Sequence, residues 1–328
     1  MTKKSSNRFV QSLNIFWEGI VIYCQNLDTF IKYMFFPVLG QIFGLGLIYL
    51  VNYFFVTHLT GWIQKYPVFD NIPLVFTLLL ICSFPGFMIF CKAFYDLIIA
   101  YGSLNSMICV LRGGKMKNKK LDPKIHDDIL KKRLFSFVML LFLLTIISVI
   151  GLFPLFIVPF AFLIIYLALV FQVFMLEDKI SPIGAIKRSI YLVKGNYLFV
   201  SFLLSLSAII TYYFIPSLFI WLFEKTNIMH YLVIPVKTYI DVLAIPAITS
   251  ALENSVSTAL SNGYNVAFSI KQYLDQMMIA KSIVSVIIMT AVTWFLLPLR
   301  CAWFTLAYKL FDSEKTEELR KNEAKREK

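Results

Sequence analysis

The sequence predicts an all-α polytopic membrane fold: a bundle of six transmembrane helices, with amphipathic interfacial helices on the cytoplasmic side and a helical cap outside. Three observations carry this. Of the 328 residues, 59% are hydrophobic and only 15% are charged, with a mean hydropathy of +0.75. A soluble domain averages ~45–50% apolar and ~25% charged residues. Six segments reach the ~20 apolar residues that a bilayer-spanning helix needs. The basic residues, finally, fall in alternate connections between those segments.

The spans are expected at about 33–56, 73–100, 134–150, 153–175, 198–223 and 278–308. The third and fourth are split at Gly151-Leu152-Phe153-Pro154, because proline disfavours helix at the residue before it. Lys and Arg number four in residues 1–32, nine in 101–134, four in 177–197 and seven from Lys309 onward. The connections after spans one, three and five hold only Lys65, Lys225, Lys237 and Lys271. Basic loops stay cytoplasmic, so both termini, the loop 101–133 and the tail 309–328 are placed inside. Residues 231–252 are apolar, but Lys237 and Asp241 would each cost about 2.5–3.5 kcal/mol at a helix centre. A seventh span would also put the basic tail outside. Segment 224–277 is therefore read as interfacial or re-entrant helices covering the bundle, and 309–328 as a solvated, frayed helix continuing from span six.

Two amphipathic helices are predicted beside the spans. In residues 1–32, Phe9, Leu13, Phe16, Ile20, Leu27 and Ile31 recur at mostly three- and four-residue steps, opposite Gln11, Asn14, Glu18 and Gln25. This is the pattern of a helix lying in the membrane interface or packed beneath the bundle. In 181–195, Ser181 suits the N-cap, Pro182 the first helical position and Gly195 the left-handed terminating position. Ile183, Ile186, Ile190 and Val193 form an apolar stripe, and Lys187, Arg188 and Lys194 are the candidate contacts to lipid headgroups. Near an anionic surface each such charge contributes about 1 kcal/mol. The two helices align at an offset of 170 residues, Ile20 with Ile190 and Asn26 with Asn196. Each precedes a span, which suggests duplication of a three-span unit.

The stretch Glu177-Asp178-Lys179-Ile180-Ser181-Pro182-Ile183-Gly184-Ala185-Ile186-Lys187-Arg188-Ser189, continuing to Leu192-Val193-Lys194-Gly195-Asn196, resembles the signature of a widespread prokaryotic family of six-span proteins. That family includes the membrane domain fused to some glycerophosphodiester phosphodiesterases. Its pattern is an acidic residue, Ser-Pro, Ala-hydrophobic-Lys-Arg-Ser and Lys-Gly before a span. The segment 302–311, with Tyr308, is similar to the family's closing aromatic-basic stretch. The resemblance implies the six-span fold and a prokaryotic cytoplasmic (inner) membrane location. Because this sequence shows no phosphodiesterase domain, it does not imply that activity.

No pattern of residues points to catalysis. His58, His126 and His230 lack metal-ligand spacing, and the carboxylate pairs Asp127-Asp128 and Glu177-Asp178 sit beside basic residues. No nucleophile elbow, phosphate-binding loop or dinucleotide fingerprint occurs. No metal or other cofactor is expected, nor a nucleic-acid partner, since the net charge of +12 lies beside apolar spans. Cys24, Cys82, Cys91, Cys109 and Cys301 are expected to be free, and no cleavable signal segment is expected. Lys92 and Asp96, four apart in span two, and Arg300, two residues after Pro298, are the intramembrane polar group. They are read as anchors that pair or snorkel to the cytoplasmic interface, against the alternative of a polar cavity in which they meet. Gly40 and Gly44 have the small-xxx-small spacing that allows close helix approach. The expectation is a non-enzymatic membrane protein that handles lipids, anionic ones included, or supports the envelope; the alternative is a small-solute transporter or channel.

Orientation is the part of this reading most directly open to experiment. In a Cys-free variant, a cysteine replacing Arg320 is expected to react with a membrane-impermeant maleimide only after the cells are permeabilised. Labelling from outside intact cells would exclude the even number of spans.

Overall fold

The structure, a computed structural model, describes residues 2–66, 71–111, 123–151, 157–177, 179–243 and 276–326. Every regular element among them is helical: α1 (Thr2–Gln25), α2 (Leu27–Lys65), α3 (Ile72–Leu111), α4 (Pro123–Lys132), α5 (Leu134–Gly151), α6 (Ile157–Leu167), α7 (Val170–Leu176), α8 (Pro182–Val193), α9 (Tyr197–Ala208), a π-helical turn (Ile209–Phe214), α10 (Ile215–Lys225), α11 (Ile228–Leu243), α12 (Gln276–Phe295) and α13 (Leu297–Arg326). Six stretches are long and apolar enough to cross a membrane: Leu27–Phe55, Pro73–Val110, Leu134–Gly151, Pro159–Leu176, Tyr197–Lys225 and Met277–Phe295. Among these residues the protein is an all-α chain with six candidate membrane spans. Expected features at residues 152–154, in the basic loop 112–122, at Asp178 and across 244–275 of the outer segment lie outside the described residues.

Two expected boundaries move. The sixth apolar run does not continue to Tyr308, because the helix breaks at Leu296 and restarts as α13. Pro298 then sits in the first turn of α13, where its missing N–H costs nothing. The tail expected to be a frayed extension of span six is instead the second half of this separate helix. At the other end, α1 and α2 are divided at Asn26, whose side-chain amide donates to the Ile22 carbonyl at 2.9 Å. Asn196, the residue 170 positions later, donates in the same way to Leu192 at 3.4 Å, just before α9. Both asparagines donate back to a carbonyl in the last turn of an amphipathic helix.

The chain order shows a smaller recurring unit than the three spans inferred from the offset. An amphipathic helix is followed by two spans: α1 before Leu27–Phe55 and Pro73–Val110, α4 before Leu134–Gly151 and Pro159–Leu176, α8 before Tyr197–Lys225 and Met277–Phe295. The short α4 buries His126 and Leu130 and leaves Ile125 and Ile129 exposed.

The residues divide into two compact units. The first comprises Met1–Phe35, Tyr95–Tyr213 and Phe295–Lys328. Its core is built on α13, where Trp303, Leu306, Ala307 and Phe311 are fully buried. Trp303 stacks on Phe16 with ring centres 4.5 Å apart, and its indole N–H donates to the Phe16 carbonyl at 2.9 Å. This close approach requires Gly19, since a methyl group there would lie 2.3 Å from the indole ring. The N-terminal helix is thus packed onto α13 and buries Ile15 and Ile22, while Val10, Leu13 and Trp17 stay exposed. Leu130 of α4 seats on Gly102 of α3, where a methyl group would come within 2.5 Å.

The second unit comprises Phe36–Phe94 and Phe214–Trp294. Here α2 and α3 approach backbone to backbone. Gly44 faces Gly86 and Phe90, so that an added methyl would sit 2.7 Å from the Phe90 nitrogen, and Gly40 faces Ala93. Gly40 and Gly44 therefore pack against span two of the same chain, with Gly86 as the matching small residue. Helix α11 packs on α10 and α12 through Met229, Val233, Ile240, Ala280, Val284 and Ile288. Its Pro235 carbonyl accepts a hydrogen bond from the Tyr49 hydroxyl at 2.9 Å.

Gly44→Val should destabilise the purified protein by about 1–3 kcal/mol, the usual cost of overpacking a filled interface. Gly46→Val, where nothing lies within 4 Å of an added methyl, should leave the thermal midpoint in detergent nearly unchanged. Equal midpoints for the two variants would exclude the backbone contact.

Candidate functional site

The charged and amide side chains of the first unit sort into three groups: a clamp, two exposed faces and a buried amide layer. The clamp begins with the sequence Glu177 to Asn196. Ser181 caps α8 by accepting from the Gly184 N–H at 3.1 Å, Pro182 takes the first helical position, and Gly195 ends it with φ +91°. The caps fix the rotation of α8, which buries Ala185, Ser189, Leu192 and Val193. Ser189 donates to the Tyr166 carbonyl at 2.7 Å. The buried face overlaps the expected Ile183/Ile186/Ile190/Val193 stripe only at its end: Val193 is buried, and Ile186 and Ile190 are half-buried. Ile183 is 58% exposed.

That rotation separates the three basic residues of the motif. Arg188 turns inward. Its Nε donates to Glu177 Oε1 at 2.9 Å, and Nη2 donates to Asp312 Oδ1 at 2.7 Å. The Tyr308 hydroxyl donates to the same Glu177 oxygen at 3.1 Å. Arg133 completes the frame from the other side, donating to the carbonyls of Glu177 at 3.2 Å and Ile180 at 3.0 Å, with its guanidinium 4.5 Å from the centre of the Phe174 ring. Burial alone would lower the pKa of Arg188. The hydrogen bond to Glu177 and the charges of Glu177 and Asp312 outweigh it and hold the value above the ordinary one. For a base, a raised folded-state pKa gives stability that is fully present below the unfolded value, hence throughout the physiological range. Arg188, expected among the headgroup contacts, is thus half-buried and paired within the protein.

Lys187 and Lys194 remain exposed. With Ile183 and Tyr191, both exposed, they form the outward face of α8. A second face of the same kind lies on α4, where exposed Ile125 and Ile129 are flanked by exposed Lys124 and Lys132. The i, i+4 isoleucines inside a basic loop were the sequence signal for it; they were hidden by reading 101–133 as a loop. Asp127 and His126 hold α4 in place, the former accepting from the Tyr33 hydroxyl at 2.5 Å and the latter's Nδ1 lying 2.8 Å from Ser106 Oγ.

The buried layer joins three helices. Gln172 Nε2 donates to Asn105 Oδ1 at 3.0 Å, the Asn105 amide donates to the Tyr101 carbonyl at 3.0 Å, and Thr305 Oγ1 reaches Asn105 Oδ1 at 3.5 Å. Lone amides in otherwise apolar runs were its only sequence signal. Further links hold α13 to its neighbours: Lys309 donates to the Cys109 carbonyl at 2.6 Å and Arg8 pairs with Glu314 at 3.0 Å.

The expected intramembrane group is distributed differently. Lys92 is exposed and Asp96 half-buried. Arg300 does not snorkel: it is 8% exposed, with its guanidinium 4.5 Å from the centre of the Tyr212 ring. Among the described residues, no three His, Cys, Asp or Glu side chains converge to hold a metal ion. Comparison of the chain with family models, with curated proteins and with solved structures returned no significant match.

Arg188→Gln is expected to lower stability in detergent by ~1–3 kcal/mol, the range for losing hydrogen bonds to a charged group. Lys187→Gln, on the exposed face, should cost ~0–1 kcal/mol. Paired thermal melts check the difference, and equal shifts would dissolve the clamp as a structural element.

Proposed function

We propose that this protein is a non-enzymatic organiser of membrane lipids, held in a prokaryotic cytoplasmic membrane with both termini inside, and that it gathers anionic headgroups on α8. The observation that supports it is the division of labour within one helix. Arg188 is spent on Glu177 and Asp312, whereas Lys187 and Lys194 stay exposed beside Ile183 and Tyr191. A face carrying both apolar side chains and ammonium groups suits the boundary between acyl chains and anionic headgroups. The α4 face adds Lys124 and Lys132 beside Ile125 and Ile129, at the end of another basic connection. The resemblance of Glu177–Asn196 to the six-span prokaryotic family fits this reading, because its basic residues precede a span. The alternative, a small-solute transporter or channel, draws on the buried Arg300 against Tyr212, since intramembrane charge is costly unless it serves a pathway.

The test is direct. The double variant Lys187→Glu/Lys194→Glu should retain its thermal midpoint but co-purify with several-fold less phosphatidylglycerol and cardiolipin, measured by native mass spectrometry. At about 1 kcal/mol per charge, reversing two charges predicts at least a tenfold weaker association. Unchanged anionic lipid would remove the proposal and favour the transporter.

A further inference from the structure

The second unit contains a groove of about 350 Å³, at the lower end of the ~300–1,000 Å³ typical of ligand sites. It lies where the candidate span Tyr197–Lys225 ends and the candidate span Met277–Phe295 begins, which would put its mouth at the level of a membrane boundary. One wall is polar. Glu224 Oε1 and Lys281 Nζ pair at 2.7 Å, and both side chains stay substantially exposed. Asn227 and His230 also line it. Asn227 stands at φ +58°, and this left-handed residue makes the sharp turn from α10 into α11; its carbonyl accepts from the His230 N–H at 3.1 Å. The rest of the lining is apolar, formed by Met229, Val233 and Met277.

From this arrangement we propose that the groove binds the headgroup of a zwitterionic phospholipid bearing a primary ammonium, that is, a phosphatidylethanolamine. A ligand with one charge could engage only one member of the pair and would leave the other to water. A zwitterion can insert into the pair and leave each charge compensated, the ammonium donating to Glu224 and the phosphate accepting from Lys281. Asn227 and His230 add polar atoms beside the phosphate and glycerol, while the methionines and Val233 receive the start of an acyl chain. A choline headgroup fits badly. Its trimethylated nitrogen has no hydrogen to donate to Glu224, and the described residues that line the groove include no Phe, Tyr or Trp for the aromatic cage that such nitrogens favour. This site shares no residue with the α8 face.

The experiment uses the full chain in detergent, titrated with dioleoyl-phosphatidylethanolamine, the matching phosphatidylcholine or soluble glycerophosphoethanolamine, and followed by native mass spectrometry and thermal shift. The expected result is at least tenfold tighter binding of the ethanolamine lipid than of the choline lipid, and a loss of that preference in Glu224→Gln and Lys281→Met. Because either change breaks an ion pair, the exchange Glu224→Lys/Lys281→Glu serves as a second variant. It keeps the pair but reverses its polarity against the apolar lining, and it should fold and lose the preference. Equal binding of the two lipids, or an exchange variant that retains the preference, would overturn the proposal. Equal thermal shifts from soluble glycerophosphoethanolamine would overturn the assignment to a lipid. The Lys187→Glu/Lys194→Glu protein should keep the ethanolamine preference, so the two lipid readings can fail separately.

Discussion

The first unit depends on one packing constraint: Trp303 must reach the backbone of α1. The indole fits only because position 19 is glycine, and it is fixed there by stacking on Phe16 and by one hydrogen bond to a backbone carbonyl. That contact turns α13 from an appended charged helix into a central element of the core. Once Trp303 is seated, Leu306, Ala307 and Phe311 follow on the same side and are buried. Lys309, Asp312 and Glu314 are carried round to Cys109, Arg188 and Arg8.

The same docking explains how the charges of α8 are used. A guanidinium can bind two carboxylates at once through its planar fork, and an ammonium cannot do so with the same geometry. Arg188 is the residue that bridges Glu177 and Asp312, and it is an arginine. The exposed positions 187 and 194 carry lysine. A basic sequence motif near a membrane is therefore not uniform in role: the helix rotation set by Ser181, Pro182 and Gly195 decides which charge is structural and which meets the surroundings.

Much of the architecture was legible in the sequence, because membrane spans are announced by length and apolarity alone. The caps of α8 were legible for a similar reason: Ser-Pro and Gly satisfy local backbone needs that do not depend on the rest of the fold. What could not be read was tertiary. Asp312 looked solvated because its neighbours are charged, and only the docking of α13 brings it to Arg188. The stripe Ile183/Ile186/Ile190/Val193 runs from an exposed residue to a buried one. In a membrane protein an apolar face need not be the buried one, so periodicity located an amphipathic helix but not the direction it faces. Gly40 and Gly44 signalled a close approach, while Gly86, the residue they meet, has no spacing pattern of its own. Pro298 was read inside a span, yet it marks the start of a new helix.

The recurring order of one amphipathic helix and two spans has a consequence for how such a chain can grow. A segment that crosses the bilayer twice returns to the side from which it began, so each copy is inserted in the same sense as the last. Copies made this way are parallel repeats, related by rotation about the membrane normal. A three-span unit would have produced inverted halves, and the asymmetry between the two leaflets would have been lost. With an even unit whose two candidate spans both cross, each amphipathic helix would fall on the same leaflet, and adding or deleting a whole unit would not turn the protein over.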